Sequence, residues 1–212
     1  MQPANFELRI IRRLNSDISE RLRRNQMSNP RAQISRERRL YIQVRKTFEV
    51  GLTSAEDVGP DFYLACAAYM VFSMDRLHEQ DQQIHDRLAA RIPAEEWDAH
   101  ERLAELQERQ QKSRQLMARF ADSMEKLRSA GSDGLQVFEE LAREFTATFN
   151  SLMAPRKNPF HEHTDRLFTD SDWETIAGVT EQSLATEEQL YEAVRCASPP
   201  NIKPEEMTVE HS

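Results

Sequence analysis

Apolar residues recur in alternating steps of three and four along four stretches of this chain, and polar residues interrupt each series near its middle. One series consists of Leu103, Leu106, Gln110, Ser113, Met117, Phe120, Met124 and Leu127, and another of Met70, Met74, Leu77, Asp81, Ile84, Leu88 and Ile92. This spacing places the side chains on one face of an α-helix. Burying an unpaired amide or carboxylate costs about 1–7 kcal/mol. The pattern therefore predicts packed helices with a layer of partnered polar groups inside.

Helix-starting and helix-ending signals divide the chain into successive predicted helices. We expect helices over residues 3–27, 32–52, 60–92, 93–129 and 134–153, and a last one from Asp170 through Leu184. Asn29-Pro30 separates the first two helices, Pro93 starts the fourth, and a break is expected near Ala185-Thr186. Residues 154–168 are predicted to be irregular. Because no strand pattern occurs, the sequence predicts an all-α protein, an antiparallel four-helix bundle with an extra N-terminal helix.

Three segments of different composition follow from this division. Residues 1–30 are predicted to form a basic, amphipathic N-terminal helix or arm, residues 31–195 the bundle, and residues 196–212 a disordered C-terminal tail. Residues 1–48 hold twelve Lys and Arg against four Asp and Glu, whereas the whole chain has a net charge of −8. The bundle is therefore acidic, and we expect the basic arm to pack against it or to bind an acidic partner.

The composition excludes several classes of function. Five glycines are too few, and too widely spaced, for a Gly-rich phosphate-binding loop or a dinucleotide-binding fingerprint. Two cysteines, Cys66 and Cys196, lack metal-binding spacing and are typical of a reduced intracellular protein. We see no leader segment and no apolar run of about 18 residues. We therefore predict a cytoplasmic protein with no membrane partner.

Four segments carry a family resemblance through their order along the chain. They are Glu37-Arg38-Arg39-Leu40-Tyr41, Leu77-His78-Glu79-Gln80-Asp81-Gln82, Arg109-Gln110-Gln111-Lys112-Ser113-Arg114-Gln115-Leu116 and Leu167-Phe168-Thr169-Asp170-Ser171-Asp172-Trp173. In this order they resemble the helices of the hemerythrin-like (HHE cation-binding) family, over residues 34–180. The resemblance implies a four-helix bundle, which in that family holds a non-haem di-iron site with His and carboxylate ligands from all four helices.

Carried over residue by residue, the resemblance implies that most metal-ligand positions are replaced. Arg38 and Gln110 stand at the first-helix and third-helix His positions, and Leu152 and Arg156 at the fourth-helix positions. His78 remains, but Gln82 replaces its carboxylate partner. Arginine stays protonated and cannot ligate a metal. We therefore expect no cofactor. We expect instead a polar layer in place of the iron, formed by Arg38, His78, Glu79, Asp81, Gln82, Gln110 and Arg156.

Histidine spacing leaves an alternative with a metal. His78, Asp81 and His85 lie at i, i+3 and i+7, so one helix face can present two imidazoles and a carboxylate. With iron bound there, the protein would be an iron- or oxygen-responsive sensor. His161 and His163 form a second His-x-His pattern, which in a predicted irregular segment is more typical of a surface loop.

The remaining features favour binding over catalysis. No Ser or Cys stands near a His in a nucleophile pattern, so we predict that the chain is not an enzyme. The first helix carries six arginines outside the resemblance: Arg9, Arg12, Arg13, Arg21, Arg23 and Arg24. We predict that this helix binds another protein or mediates self-association. Nucleic-acid binding is the alternative, although Phe6 is the helix's one aromatic residue for base stacking. The preferred function is a non-enzymatic regulatory or partner-binding protein, with a small apolar core ligand as a variant.

Overall fold

The computed structural model describes residues 29–54, 58–152 and 159–207. Over these ranges the chain forms seven α-helices, two short 3₁₀ helices and no strand, so the all-α prediction is confirmed. The predicted N-terminal helix over residues 3–27 and its six arginines lie outside the described residues, and so does Arg156. None of the described helices combines the length and hydrophobicity needed to cross a bilayer.

The helices follow one another with short connections. They are α1 (Pro30–Thr53), α2 (Pro60–Arg91), α3 (Trp97–Ala130), α4 (Leu135–Leu152), α5 (His161–Leu167), α6 (Asp170–Ala177) and α7 (Glu181–Ala197), and the 3₁₀ helices are Gly131–Gly134 and Pro204–Glu206. The four long helices α1 to α4 match those predicted to within two residues at their ends, with one exception. Helix α3 begins at Trp97 rather than at Pro93, because residues 93–96 form a turn in which the Glu96 backbone N–H donates to the Pro93 carbonyl. Helix α2 is central, because it packs against α1, α3 and α7, while α4 packs against α3 and α1.

Local signals in the sequence explain where α1 and α6 begin. The Asn29 side chain accepts a hydrogen bond from the Ala32 backbone N–H at 3.0 Å, and Pro30 occupies the first turn of α1. At α6, the Thr169 side chain accepts from the Asp172 backbone N–H, and the Asp172 carboxylate accepts from the Thr169 backbone N–H. This reciprocal capping box satisfies backbone groups that have no partner within the helix.

The core consists of two apolar clusters. The larger one is rich in aromatic rings, with Phe48 edge-on to Tyr63 and Phe120 stacked on Phe145 at a centroid distance of 4.1 Å. The smaller one is built around Ile34, Leu88, Leu103, Phe160 and Ile176, among other residues. Along α1, α2 and α3, buried polar residues separate the residues of one cluster from those of the other. The interrupted apolar series in the sequence therefore corresponds to two clusters with polar groups between them.

The segment between α4 and α7 contains more helix than predicted. Residues 161–167, expected to be irregular, form α5, whose first turn includes the predicted His-x-His loop. The break expected near Ala185-Thr186 is also wrong, since α7 is continuous there. The chain breaks instead at Gly178, which ends α6 in the left-handed conformation with φ 53°, and Thr180 then caps α7. Glycine adopts that conformation without the penalty that a Cβ atom imposes.

The predicted disordered tail is wrong for residues 198–207. Ile202 is only 2% exposed and belongs to the larger cluster, and Pro204 is also buried. Met207 packs against the same cluster, and the second 3₁₀ helix contacts α1. The three prolines at 199, 200 and 204 favour extended and turn conformations rather than helix. Here such a conformation places one isoleucine in the core.

Candidate functional site

A cavity of about 1070 Å³ lies beside the smaller cluster. Helices α1, α2, α3, α5 and α6 and the end of α4 contribute its described walls. Its apolar lining comes from seven side chains: Ile34, Ile84, Leu106, Leu152, Pro159, Phe160 and Trp173. Its polar lining includes Arg38, Asp81 and Gln110, three residues of the polar layer expected from the sequence. Small-molecule sites commonly have this composition, an apolar wall with a few placed polar groups.

The Arg38 guanidinium on α1 forms an ion pair with the Asp81 carboxylate on α2. The Arg38 side chain is 40% exposed and the Asp81 side chain 25% exposed, so the pair lies in the cavity wall rather than in the core. Solvent weakens a pair at this depth, and exposed pairs typically contribute less than about 1 kcal/mol to stability. The pair therefore determines the local charge of the cavity more than the stability of the fold.

Gln110 on α3 is the most unusual polar residue of the cavity wall. It is 6% exposed, and neither its amide nitrogen nor its amide oxygen has a hydrogen-bond partner among the described residues. The indole nitrogen of Trp173, another lining residue, is also buried without a partner there. Each such group costs about 1–3 kcal/mol when it is buried and unsatisfied. The wall of the cavity thus contains buried polar atoms whose hydrogen-bonding capacity the described residues do not use.

His78 and Ser113 lie one helical turn away from Asp81 and Gln110, towards the larger cluster. His78 Nε2 lies 2.8 Å from Ser113 Oγ, and both residues are buried. Burial lowers the pKa of His78, and the nearby Arg114 guanidinium lowers it further. Arg114 also donates a hydrogen bond to the His78 backbone carbonyl at 3.0 Å. A neutral imidazole in a hydrogen bond therefore joins α2 to α3.

Two residues of the expected polar layer are placed elsewhere. Glu79 is exposed on α2 and does not join the pair of Arg38 and Asp81. Gln82 does not bridge that pair either, because its amide nitrogen donates to Asp86 Oδ1 at 2.8 Å. The structure therefore does not bring Glu79 and Gln82 into one layer with Arg38 and Asp81. Helix geometry places Glu79 about half a turn, and Gln82 about a third of a turn, from the apolar stripe of α2.

The alternative metal site is not assembled. His78 bonds Ser113, Asp81 pairs with Arg38, and His85 Nδ1 lies 3.1 Å from Asp86 Oδ1. Across residues 29–54, 58–152 and 159–207, no three His, Cys, Asp or Glu side chains form a group that could hold a metal ion. The two histidines of the His-x-His pattern also have different partners. His161 Nδ1 lies 3.4 Å from Asp165 Oδ2, and His163 Nε2 lies 2.7 Å from Glu96 Oε2.

Comparisons with protein-family models, curated proteins and solved structures find no match. The hemerythrin-like resemblance therefore stays a prediction, and the chemistry of the site has to be argued from its own residues.

A buried ionic cluster around Glu37 was not expected from the sequence. Glu37 is 5% exposed and accepts hydrogen bonds from Arg76 at 2.9 Å, Gln80 at 2.7 Å and Gln33 at 3.0 Å. Arg76 also donates to the Ala177 backbone carbonyl, which joins α6 to the cluster. The sequence did carry one signal of this cluster: Gln33 and Glu37 are four residues apart, so they lie on one helix face. Gln80 was not recognised because it lies off the apolar stripe of α2.

Two more buried carboxylates connect α6 and α7 to the long helices α1 and α2. Asp172 on α6 accepts two hydrogen bonds from Arg91 at 2.7 and 2.8 Å, and one from Arg87 at 3.2 Å. The hydrogen bonds from Arg91 and from the Thr169 backbone hold the pKa of Asp172 well below its usual range. Glu187 on α7 pairs with Arg36 at 2.6 Å. These clusters lie outside the cavity, and we assign them a role in joining helices.

Proposed function

We propose that this chain is a non-enzymatic regulatory protein built on an antiparallel, hemerythrin-like four-helix bundle that has lost its di-iron site. One observation carries the proposal: Arg38, Gln110 and Leu152, which the resemblance aligns with metal ligands on three helices, all line one cavity. Residues between 42 and 114 positions apart in the chain thus line the same cavity, and this supports the proposal. The cavity takes a small organic ligand in place of the metal.

The order of the two apolar clusters along the helices supports the antiparallel arrangement. Helix α1 passes from Ile34 in the smaller cluster to Tyr41 in the larger one. Helix α2 passes in the reverse order, from Leu77 to Leu88, and α3 reverses again, from Leu103 to Met117. Short connections between neighbours are typical of such bundles.

The chemistry of the lining argues against a metal and for an organic ligand. A di-iron site needs neutral imidazoles and carboxylates as donors. The Asp81 and Asp165 carboxylates in this wall are paired with arginines, and no three His, Cys, Asp or Glu side chains among the described residues form a group that could hold a metal ion. The cavity volume of about 1070 Å³ is slightly above the usual range of ligand sites, about 300–1,000 Å³. The lining also includes Arg31 and Ser35 at the start of α1. Ligand binding would therefore act on the helix that follows the basic arm, residues 1–30, which we propose as the segment that binds a protein partner.

The first experiment measures metal content on the full chain, after anaerobic incubation with ferrous iron followed by exposure to air. We expect no iron above the buffer background by mass spectrometry. About two irons per chain, the stoichiometry of a di-iron protein, would overturn the proposal and favour the iron-responsive alternative.

The second experiment measures cavity binding with the fluorescent dye anilinonaphthalene sulfonate. Ile84→Trp places a bulkier side chain in the cavity wall, whereas Leu141→Trp adds similar bulk on α4, at a residue that is 42% exposed and outside the cavity. We expect the dye to bind the native chain and the Leu141 variant with similar affinity, and the Ile84 variant at least about tenfold more weakly, a difference of about 1.4 kcal/mol. Equal binding by all three would contradict a cavity site.

A further inference from the structure

Arg109 on α3 differs from every other arginine in the part of the chain that the structure describes. It is half-buried, yet it has no hydrogen-bond or ion-pair partner among the described residues. The other half-buried arginines each form an ion pair with a carboxylate, and they are Arg36, Arg38, Arg45, Arg76 and Arg87. Partial burial removes water from a guanidinium, and a nearby anion compensates for that loss. Arg109 therefore keeps its capacity to bind an anion from outside the chain.

The Arg109 side chain also lines the cavity, together with the seven apolar side chains of its wall. Resting on the proposed ligand cavity, we propose that the ligand is an amphipathic organic carboxylate. Its apolar body would pack against the apolar lining, and its carboxylate would bind the Arg109 guanidinium. A guanidinium can donate two parallel N–H bonds to a carboxylate, which gives this pair both strength and a fixed orientation.

The charges of the described lining favour a ligand with one negative charge. With His161 counted as neutral, the lining holds five cations and four carboxylates. Three of the cations already have carboxylate partners, in the pairs Arg31–Asp165, Arg38–Asp81 and Lys112–Glu108. Arg102, Arg109 and Glu105 remain, and none of them forms an ion pair with a described residue. Two arginines against one glutamate leave this part of the wall with a net charge of +1.

Helix geometry places these three unpaired groups close together on α3. Arg102 and Arg109 are seven residues apart, so they lie about two turns apart on the same face. Glu105 lies four residues before Arg109, a spacing that often allows an ion pair, but that pair is not formed. Glu105 is exposed, so water screens its repulsion of a ligand carboxylate. Arg102, which is also exposed, would add a weaker attraction.

The test compares two probes that differ in the charge of one group. Naphthoate carries a carboxylate that is ionised at neutral pH, and naphthamide has a neutral amide of similar shape at the same ring position. We expect the native chain to bind naphthoate at least about tenfold more tightly in isothermal titration calorimetry, because only the carboxylate gains a charge-assisted pair with Arg109. Equal affinity for the two probes would overturn the inference.

Variants on α3 make the test specific to Arg109. Arg109→Gln should bind both probes with similar affinity, and Arg109→Met provides the same test if the glutamine variant fails to fold. The control Arg119→Gln removes an exposed arginine outside the cavity and should keep the native preference for naphthoate. This control has the same net charge as Arg109→Gln. A preference for naphthoate that survives in Arg109→Gln would overturn the assignment of this residue.

The outcomes also separate this inference from the proposed function. If both probes bind equally and Ile84→Trp weakens both, the carboxylate inference is wrong and the cavity site stands. If neither probe binds, the inference also fails, and the binding of anilinonaphthalene sulfonate then decides whether the cavity takes a ligand. If the dye binds the native chain and the Ile84 variant equally, the proposed function itself fails.

Discussion

The Nε2 atom of His78 lies 2.8 Å from the Oγ atom of Ser113, and this hydrogen bond joins the two longest helices, α2 and α3, between the two apolar clusters. Both residues are buried, and burial lowers the pKa of His78. Because the folded state holds this imidazole neutral, the hydrogen bond links the stability of the protein to pH.

We predict that stability falls as the pH drops below the pKa of a histidine in the unfolded chain, about 6.5. The unfolded chain binds a proton there that folded His78 resists, so His78's contribution to stability is present above that pKa and is lost below it. His78→Gln, which cannot titrate, should flatten this dependence in urea unfolding between about pH 7.5 and 5.5. The control His161→Gln changes an exposed imidazole and should keep the native slope. An unchanged slope in His78→Gln would contradict the prediction.

We predict that Glu37→Ala destabilises the fold by about 3–5 kcal/mol, because it leaves the Arg76 guanidinium largely buried without its carboxylate. The control Glu108→Ala removes an exposed partner of Lys112 and should change stability by less than about 1 kcal/mol. Urea unfolding followed by circular dichroism measures both. A similar loss of unfolding free energy in the two variants would contradict this prediction.

We predict that Gly51→Ala destabilises the protein by about 1–3 kcal/mol, although alanine normally favours a helix over glycine. A Cβ atom at position 51 would overlap the ring of buried Phe62 and lie 3.0 Å from its Cζ atom. The control Gly59→Ala has no atom within 4 Å of the added methyl group and should change stability by less than about 1 kcal/mol. Thermal unfolding of both variants is the measurement. Stabilisation by Gly51→Ala would mean that α1 and α2 separate more easily than their packing indicates.

We predict that Ile202→Ala destabilises the fold by about 2–4 kcal/mol, since it removes a fully packed side chain from the larger cluster. The control Val137→Ala trims a side chain that is 62% exposed and should change stability by less than about 0.5 kcal/mol. The measurement is the urea concentration at the unfolding midpoint of each variant. An Ile202 variant as stable as the native chain would support the disordered tail expected from the sequence.

The long helices could be predicted because their periodicity extends over many turns, which outweighs local ambiguity at their ends. Helix α5 has only seven residues and follows Pro159, so it shows too little periodicity to be recognised. The end of α6 could have been placed correctly, because Gly178 followed by the capping pair Thr180 and Ser183 is a strong local signal. Ile202 could not be predicted, since one apolar residue among prolines has no pattern.

The candidate site was predictable only where polar residues fall on an apolar stripe. Asp81 and Gln110 interrupt such stripes, and both line the cavity. The sequence also suggested Arg38, which pairs with Asp81. Glu37 and Gln80 form a buried contact, but they lie beside the stripes, so only the relative rotation of α1 and α2 shows that they meet.

The packing of the C-terminal residues bears on the order in which the protein folds during synthesis. Helix α7 covers part of α2, and Ile202 belongs to the larger cluster, so the ribosome adds both after the residues of α1 to α4 that share this core. Until they emerge, the nascent chain exposes the apolar surface of α2 that they later bury. Such surfaces make incomplete chains prone to aggregation. Folding of this core therefore finishes only after Ile202 has been synthesised, well after the four long helices.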